Sequence, residues 1–133
     1  MNAVLHDKLF MRLHELPVLA HMTYDDGDPY AVRVAFTDGE YVYAEWRLDR
    51  GMLREGMRHA VGEGDVRVWP GSQGARDVPG VPGVHIELCG EADFTVGEES
   101  LARFLERTYE AVPEGEERVD VDALVTRLLA TGS

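Results

Sequence analysis

Two alternating segments separated by an Asp-Gly pair constrain the fold of this chain more than any other feature. Apolar side chains recur at every second position in residues 30–37, and residues 41–48 alternate in the same way. A period of two is typical of a strand with one buried face. Asp38 and Gly39 stand between the segments, and this dipeptide favours the tight turn of a hairpin. The sequence therefore predicts an antiparallel hairpin.

Further segments before and after this hairpin also favour strands. Residues 3–15 are mixed but fit a strand better than a helix, and residues 17–24 alternate again. Residues 25–29 combine aspartates with glycine and proline, which is typical of a turn. Residues 65–69 predict a further strand that Pro70 ends. The hairpin is therefore expected to belong to a larger antiparallel sheet.

The segment around the single cysteine predicts one more strand. Residues 84–89 are mainly apolar, and we expect this strand to run on through Gly90 toward Phe94. This placement predicts that Cys89 is a buried, inert thiol, because no basic group lies near it in the sequence. The preceding residues 71–83 are rich in glycine and proline and predict an exposed loop.

Three segments have helical rather than strand spacing. Asp49 is a candidate N-cap for a short helix over residues 50–60. Apolar residues recur at intervals of three and four from Glu98 until Pro113, and a last helix follows Asp120. We therefore predict an α+β fold: an antiparallel, strongly bent β-sheet or partly closed barrel, one short helix between strands and two C-terminal helices.

The length and charge of the chain restrict its function. At 133 residues we expect a single domain over 1–133. The 25 acidic and 13 basic residues give a net charge of −12, which repels phosphate backbones and anionic membrane surfaces. The sequence lacks a long apolar span and a signal peptide, and its single cysteine excludes an internal disulfide framework. We expect a cytoplasmic protein that binds no nucleic acid and does not insert into a membrane.

No motif in the chain predicts catalysis. Phosphate-binding and dinucleotide-binding glycine patterns are missing, and the five histidines lack metal-ligand spacing. Residues 25–28 contain three aspartates but lack the other ligands of a calcium loop. No serine stands in a nucleophile-elbow context. We therefore expect a protein that is not an enzyme and needs neither a cofactor nor a metal.

Two surface features stand out as candidate interaction sites. Arg50, Arg54 and Arg58 recur at intervals of four and predict a basic stripe along one helix face. This stripe is either a solvated face paired with acidic residues or a docking site for an acidic partner or a second subunit. Tyr41 and Tyr43 alternate along the second hairpin strand and favour association if their face is exposed.

Several stretches of the chain together resemble a known family. They comprise residues 28–32, Trp46 with the following Arg50-x-x-Leu53-x-Glu55-Gly56, and residues 64–70, and residues 104–108 and 112–113 fit as well. In this order and spacing they look like the SsgA-like proteins, which are small acidic cell-division regulators of sporulating actinobacteria. The resemblance spans roughly residues 20–130, nearly the whole chain.

The resemblance implies a fold, an assembly and a role. The family fold resembles the whirly-type single-strand nucleic-acid binders and assembles as a bell-shaped trimer. The better-known members position the FtsZ ring at sporulation septa, whereas others affect wall synthesis and spore separation, and none is an enzyme. We interpret the motif residues as a family signature, structural first and a partner site second: Asp28, Pro29, Tyr30, Trp46, Asp65, Arg67, Trp69 and Pro70.

Three functional hypotheses remain open. The first is a non-catalytic regulator of sporulation-specific cell division that selects septum sites, recruits FtsZ or directs septal wall synthesis by binding proteins. Its expected partners are further copies of itself as a trimer, FtsZ or another SsgA-like protein, and its expected location is the cytoplasm near the division septum. The alternatives are a whirly-like single-stranded nucleic-acid binder and a small ligand-binding barrel.

Overall fold

The computed structural model describes residues 4–14, 16–71 and 83–118, together with residues 121–122, 125–126 and 129. Ten elements have defined bounds within these ranges. In chain order they are β1 (Val4–Leu13), β2 (Leu16–Asp25), β3 (Ala31–Thr37), β4 (Val42–Asp49), α1 (Arg50–Gly56), β5 (Val61–Glu63), β6 (Val66–Pro70), β7 (Gly83–Leu88), β8 (Ala92–Gly97) and α2 (Glu98–Ala111).

All eight strands belong to one sheet with the order β4-β3-β2-β1-β8-β7-β6-β5. Every neighbouring pair is antiparallel, and β1 and β8 join the two halves, with Met11 opposite Val96. The short helix α1 lies between strands in the chain, and α2 follows the last strand. The predicted α+β class and the predicted hairpin are therefore confirmed.

An aromatic contact demonstrates how strongly the sheet bends. Phe36 lies on β3 and Phe94 on β8, three strand spacings apart in the sheet order. In a flat sheet this separation would be about 14 Å. The two rings instead stack with their centroids 4.0 Å apart. The sheet therefore curls over itself into a half-barrel, which confirms the predicted strong bend.

The core fills the inner face of this half-barrel. The alternation predicted for the hairpin is correct, because Val32, Val34 and Phe36 are all buried there. Both helices cover the same face, with Leu53 of α1 and Phe104 of α2 completely buried in one apolar cluster. The opposite face of β1–β4 is not covered by either helix and carries exposed side chains.

Helix α1 begins as predicted but ends earlier. The Asp49 side chain accepts a hydrogen bond from the Met52 backbone N–H at 2.8 Å, which satisfies one of the unpaired donors at the helix start. The helix stops at Gly56 rather than at residue 60, and the chain enters β5 at Val61. Helix α1 therefore has only seven residues.

The prediction that a single strand runs through Gly90 and buries Cys89 is wrong. Cys89 and Gly90 both have positive φ angles, 56° and 69°, and form the turn between β7 and β8. Glycine adopts this left-handed conformation without steric cost, so Gly90 allows the chain to reverse. Cys89 is consequently exposed at the turn.

Two predicted regions lie largely outside the described residues. Residues 72–82 of the expected loop are outside them, as are most residues of the last predicted helix. Of that helix, the described positions 121–122, 125–126 and 129 are helical and exposed.

Candidate functional site

The predicted arginine stripe is not one exposed surface. Arg50 is the first residue of α1 and is only 1% exposed, so its inclusion in a docking stripe is wrong. Arg54 is partly exposed, whereas Arg58 lies beyond the helix end and is exposed. The stripe therefore reduces to Arg54 and Arg58, because the position next to β4 directs Arg50 into the protein.

Arg50 instead joins α1 to the end of α2. Its Nη1 donates to the Thr108 carbonyl oxygen at 2.9 Å, and its Nη2 donates to the Val112 carbonyl oxygen at 2.8 Å. Nη2 also lies 3.3 Å from the Glu117 carboxylate. A guanidinium presents several donors in a fixed fork, which suits this set of acceptors. One buried side chain therefore holds the C-terminal end of α2 and the segment after it.

Two tyrosine rings enclose this guanidinium. The Arg50 Cζ lies 4.0 Å from the centroid of Tyr109 and 5.2 Å from that of Tyr24. The Arg54 Cζ also lies 4.5 Å from the Tyr109 centroid, and Arg54 forms an ion pair with Glu114 at 3.0 Å. Cation–π contacts of this kind favour arginine over lysine. Arg50 and Arg54 of α1 therefore contact aromatic and acidic side chains of the same chain.

The buried phenol of Tyr24 gives this cluster a measurable pH dependence. Burial raises the pKa of Tyr24 to about 12, although the Arg50 guanidinium opposes the shift. The unfolded chain therefore releases this proton first, and the free energy of unfolding is expected to fall between about pH 10 and 12. Urea titrations across this range should show the fall, and Tyr24→Phe should reduce its slope. An unchanged slope in the variant would assign the effect to other groups.

The first signature motif forms a buried turn beside the same cluster. Asp28 is 5% exposed and holds the Arg47 guanidinium through both carboxylate oxygens, which raises the pKa of Arg47. The Pro29 carbonyl oxygen accepts a hydrogen bond from the Tyr24 hydroxyl at 3.0 Å. The Tyr30 carbonyl oxygen accepts one from the Arg50 backbone N–H at 2.8 Å. The contacts of this motif therefore connect β2, β4 and α1.

The other signature residues are spread along the sheet. Trp46 packs against the core, and Trp69 stacks on His85 with centroids 5.2 Å apart. His85 is buried and lies 3.2 Å from the Asp93 carboxylate. The Asp65 carbonyl oxygen accepts a hydrogen bond from the Cys89 backbone N–H. Arg67 is exposed, and Pro70 lies opposite Val84 in the sheet. These side chains do not converge on one pocket.

The aromatic pair of the hairpin is exposed at its tip. Tyr41 and Tyr43 are 65% and 59% exposed, and their rings meet edge to face at 5.5 Å. The Tyr43 hydroxyl donates to Asp38 at 2.8 Å, which raises the pKa of that phenol. Asp38 also accepts from the backbone N–H groups of Glu40 and Tyr41, and these bonds lower its pKa. The turn therefore presents two oriented aromatic rings to solvent.

Sequence reasoning missed the residues that complete the Arg50 cluster. Tyr109 lies in the segment from Glu98 to Pro113, whose spacing predicts only a helix, and Glu114 and Glu117 belong to the polar residues that follow Pro113. A surplus of acids just after a helix that contains Tyr109 is too common a pattern to reveal such a cluster. Only the fold places these three side chains beside α1.

The described residues form neither a metal site nor a membrane-spanning helix. No three histidine, cysteine or carboxylate side chains in this part of the chain are placed to hold a metal ion. None of the helices described is both long enough and apolar enough to cross a bilayer.

Sequence comparison relates most of the chain to one family. The family model described as Streptomyces sporulation and cell division protein, SsgA, matches residues 18–117. The sporulation-specific cell division protein SsgB of Salinispora tropica is 43% identical over 124 residues, covering 86% of this chain and 82% of that protein. SsgB of Streptomyces coelicolor is 38% identical over 140 aligned positions, covering 98% of each chain.

Two solved structures have the same fold. One belongs to a study of SsgB mutations that correlate with longitudinal cell division during sporulation of Streptomyces coelicolor. It matches with a TM-score of 0.78 and 40% identity, covering 88% of this chain and 94% of that one. The SsgA-like sporulation-specific cell division protein of Thermobifida fusca matches with a TM-score of 0.76 and 34% identity, covering 93% of both chains. The chain therefore belongs to the SsgA family of sporulation and cell-division proteins.

Proposed function

We propose that this protein is a non-catalytic regulator of sporulation-specific cell division that acts by binding other proteins at the division septum. Relatives of 36–43% identity that are named for this process support the proposal, because they cover most of the chain. The absence of a convergent polar pocket among the signature residues favours a binding role over a catalytic one.

The tip of the β3–β4 hairpin is the surface that we assign to this binding. Exposed tyrosines supply large contact areas at low conformational cost and are enriched where proteins bind each other. Asp38 holds the Tyr43 hydroxyl, and the Tyr43 ring contacts that of Tyr41, so the two rings lose little conformational freedom when a partner covers them. Arg58 and the exposed part of Arg54 form a second candidate contact on α1.

We further propose that the protein forms a homotrimer with a whirly-like protomer fold and that its partner is FtsZ or another SsgA-like protein. Solution mass by light scattering tests the assembly, and co-purification from sporulating cells tests the partner. A monomeric mass at all accessible concentrations contradicts the trimer. Failure to recover either partner contradicts the second part of the proposal.

Complementation in the native host tests the function and the hairpin surface together. Deletion of the gene is expected to alter septation or spore formation, and the wild-type gene should restore both. The double variant Tyr41→Ser/Tyr43→Ser is expected to weaken partner binding about tenfold or more, because two exposed aromatic anchors are lost. Its free energy of unfolding should change little, since both rings are solvent-exposed.

Tyr30→Ser provides the matched control for this variant. Tyr30 is 48% exposed at the opposite end of the hairpin and should leave partner binding intact. Normal septation in the deletion strain contradicts the proposed function. Restoration of septation by the double variant, with unchanged binding, contradicts only the assignment of the hairpin tip.

A further inference from the structure

The outer face of β1–β4 concentrates basic side chains in defined rows. Residues directly opposite each other in antiparallel strands lie on the same face of a sheet. The pairing places Lys8 opposite His21 and Arg33 opposite Arg47, with His6 in the same row as Arg33. All five side chains are exposed, and the exposed fraction of the Arg47 side chain is 59%. These five side chains and Arg12, which lies two residues beyond Phe10 on β1, form a surface that we call the cationic face.

The cationic face is rich in basic residues, whereas the chain as a whole is acidic. It carries four of the 13 basic residues of a protein whose net charge is −12. Glu45 is the exposed acid within its rows, and Asp28 is buried beneath Arg47. Asp25 and Asp49, at the strand ends, accept hydrogen bonds from nearby backbone N–H groups. Arg47 and Asp28 offset each other, and Asp25 and Asp49 keep their negative charge at one edge of the face. The positive region is therefore the rest of the face, where Lys8, Arg12 and Arg33 outnumber Glu45.

Three of these charges have no carboxylate partner among the described residues. Arg33 lies directly opposite Arg47, but the Asp28 carboxylate binds Arg47 and offsets this like-charge contact. Lys8, Arg12 and Arg33 form no ion pair with any residue in the described ranges. No ion pair among the described residues therefore uses these three cations, and an anionic partner would pair with them.

An apolar row runs across the same face. Phe10 is 80% exposed and lies opposite Leu19, which in turn lies opposite Thr37. Val42 and Tyr43 continue the row at the bulge in β4, and they are 50% and 59% exposed. The neighbouring row with Lys8 is about 7 Å away, the distance of two residues along a strand. Apolar and cationic side chains therefore alternate across one continuous surface.

We infer that the cationic face binds an acidic protein segment that also carries apolar side chains. Aspartate or glutamate side chains would pair with Lys8 and Arg33 while an apolar side chain covers Phe10. The four strands span only about 14 Å, so a short segment fits within the positive region. A long polyanion such as a nucleic acid would extend from it onto the acidic remainder of the protein, where phosphates are repelled.

Peptide binding tests this inference with a charge-reversed surface. The probes are a fluorescein-labelled peptide of alternating aspartate and leucine, the same peptide with lysine for aspartate, and labelled oligothymidylate. The intact protein should bind the acidic peptide and not the basic one. The double variant Lys8→Glu/Arg33→Glu is expected to weaken binding at least tenfold, and Phe10→Ser about tenfold.

The charge reversal is designed to leave the fold intact. Arg33→Glu places a carboxylate opposite Arg47 at an exposed position of the sheet, so the fold should tolerate the change. Glu45→Lys should strengthen binding, because it removes the exposed acid from the same rows. Arg103→Glu/Arg107→Glu on α2 makes the same change in net charge away from the face and should leave binding unchanged.

Three results overturn the inference. The first is equal binding of the acidic peptide by the protein and by Lys8→Glu/Arg33→Glu, or no binding by either. The second is tighter binding of oligothymidylate than of the peptide, which would identify a nucleic-acid surface. The third is a change in solution mass caused by the double variant, which would identify a subunit interface. The inference deepens the proposed function, yet peptide binding is measured without any septation phenotype, so the two fail separately.

Discussion

Replacing Arg50 by alanine is expected to destabilise the protein by about 3–5 kcal/mol. The substitution removes the donors to the Thr108 and Val112 carbonyl oxygens and leaves a cavity between two tyrosine rings. It also leaves Glu117 without its buried cation. Equilibrium unfolding in urea measures the loss, and the segment after α2 should become accessible to proteases before the protein unfolds globally.

Two further variants isolate the cause of this loss. Arg50→Lys keeps the charge but cannot reach both carbonyl oxygens with a planar fork, so it should recover only part of the stability. Arg58→Ala removes an exposed arginine near the same helix and should change the free energy of unfolding by less than about 0.5 kcal/mol. A loss below about 1 kcal/mol for Arg50→Ala would contradict the anchoring role.

The sequence predicted those features that depend on neighbours along the chain. Alternation correctly predicted that Val32, Val34 and Phe36 share a buried face, because the pleat fixes the side of each residue. Asp49 was recognisable as a cap because its acceptor role involves a donor only three residues later. Local chemistry of this kind is independent of how the strands are ordered.

Arg50 shows where local reasoning fails. Its spacing from Arg54 and Arg58 indicated one helix face, but α1 ends at Gly56 and its first residue is directed inward from the end of β4. The carbonyl groups that satisfy Arg50 are 58 and 62 residues away. An arginine that binds such distant acceptors has the same local sequence pattern as one in solvent, so only the fold distinguishes them.

The cationic face could not be predicted from the sequence for a related reason. Alternation within β1 places Lys8 and Phe10 on one side, but their neighbours depend on the pairing of β1 with β2 and of β2 with β3. A register shift of one residue would reverse the face of every partner side chain. The position of Arg33 in the row of His6 and Arg47 therefore became apparent only from the structure.

Replacing Gly56 by alanine is expected to lower the free energy of unfolding by about 3 kcal/mol. A Cβ atom at Gly56 would lie 2.2 Å from Val68 Cγ1 and 2.5 Å from Val68 Cβ. A rotamer change cannot relieve the second contact, since both Cβ atoms are fixed to the backbone. Helix α1 would have to move away from β6, which would disturb the core around Leu53.

A double-mutant cycle distinguishes this clash from a general effect of alanine in the helix. Val68→Ala alone creates a cavity, but in the double variant it also removes the contact of Cγ1 with the new Cβ atom at position 56. The losses of unfolding free energy in the two single variants should therefore sum to more than the loss in the double variant. Gly51→Ala is the matched control, because its Cβ would meet only the Asp49 side-chain oxygen, at 3.1 Å. It should stay within about 1 kcal/mol of the original protein. Additive losses at Gly56 and Val68 would show that α1 and β6 do not pack as closely as the structure indicates.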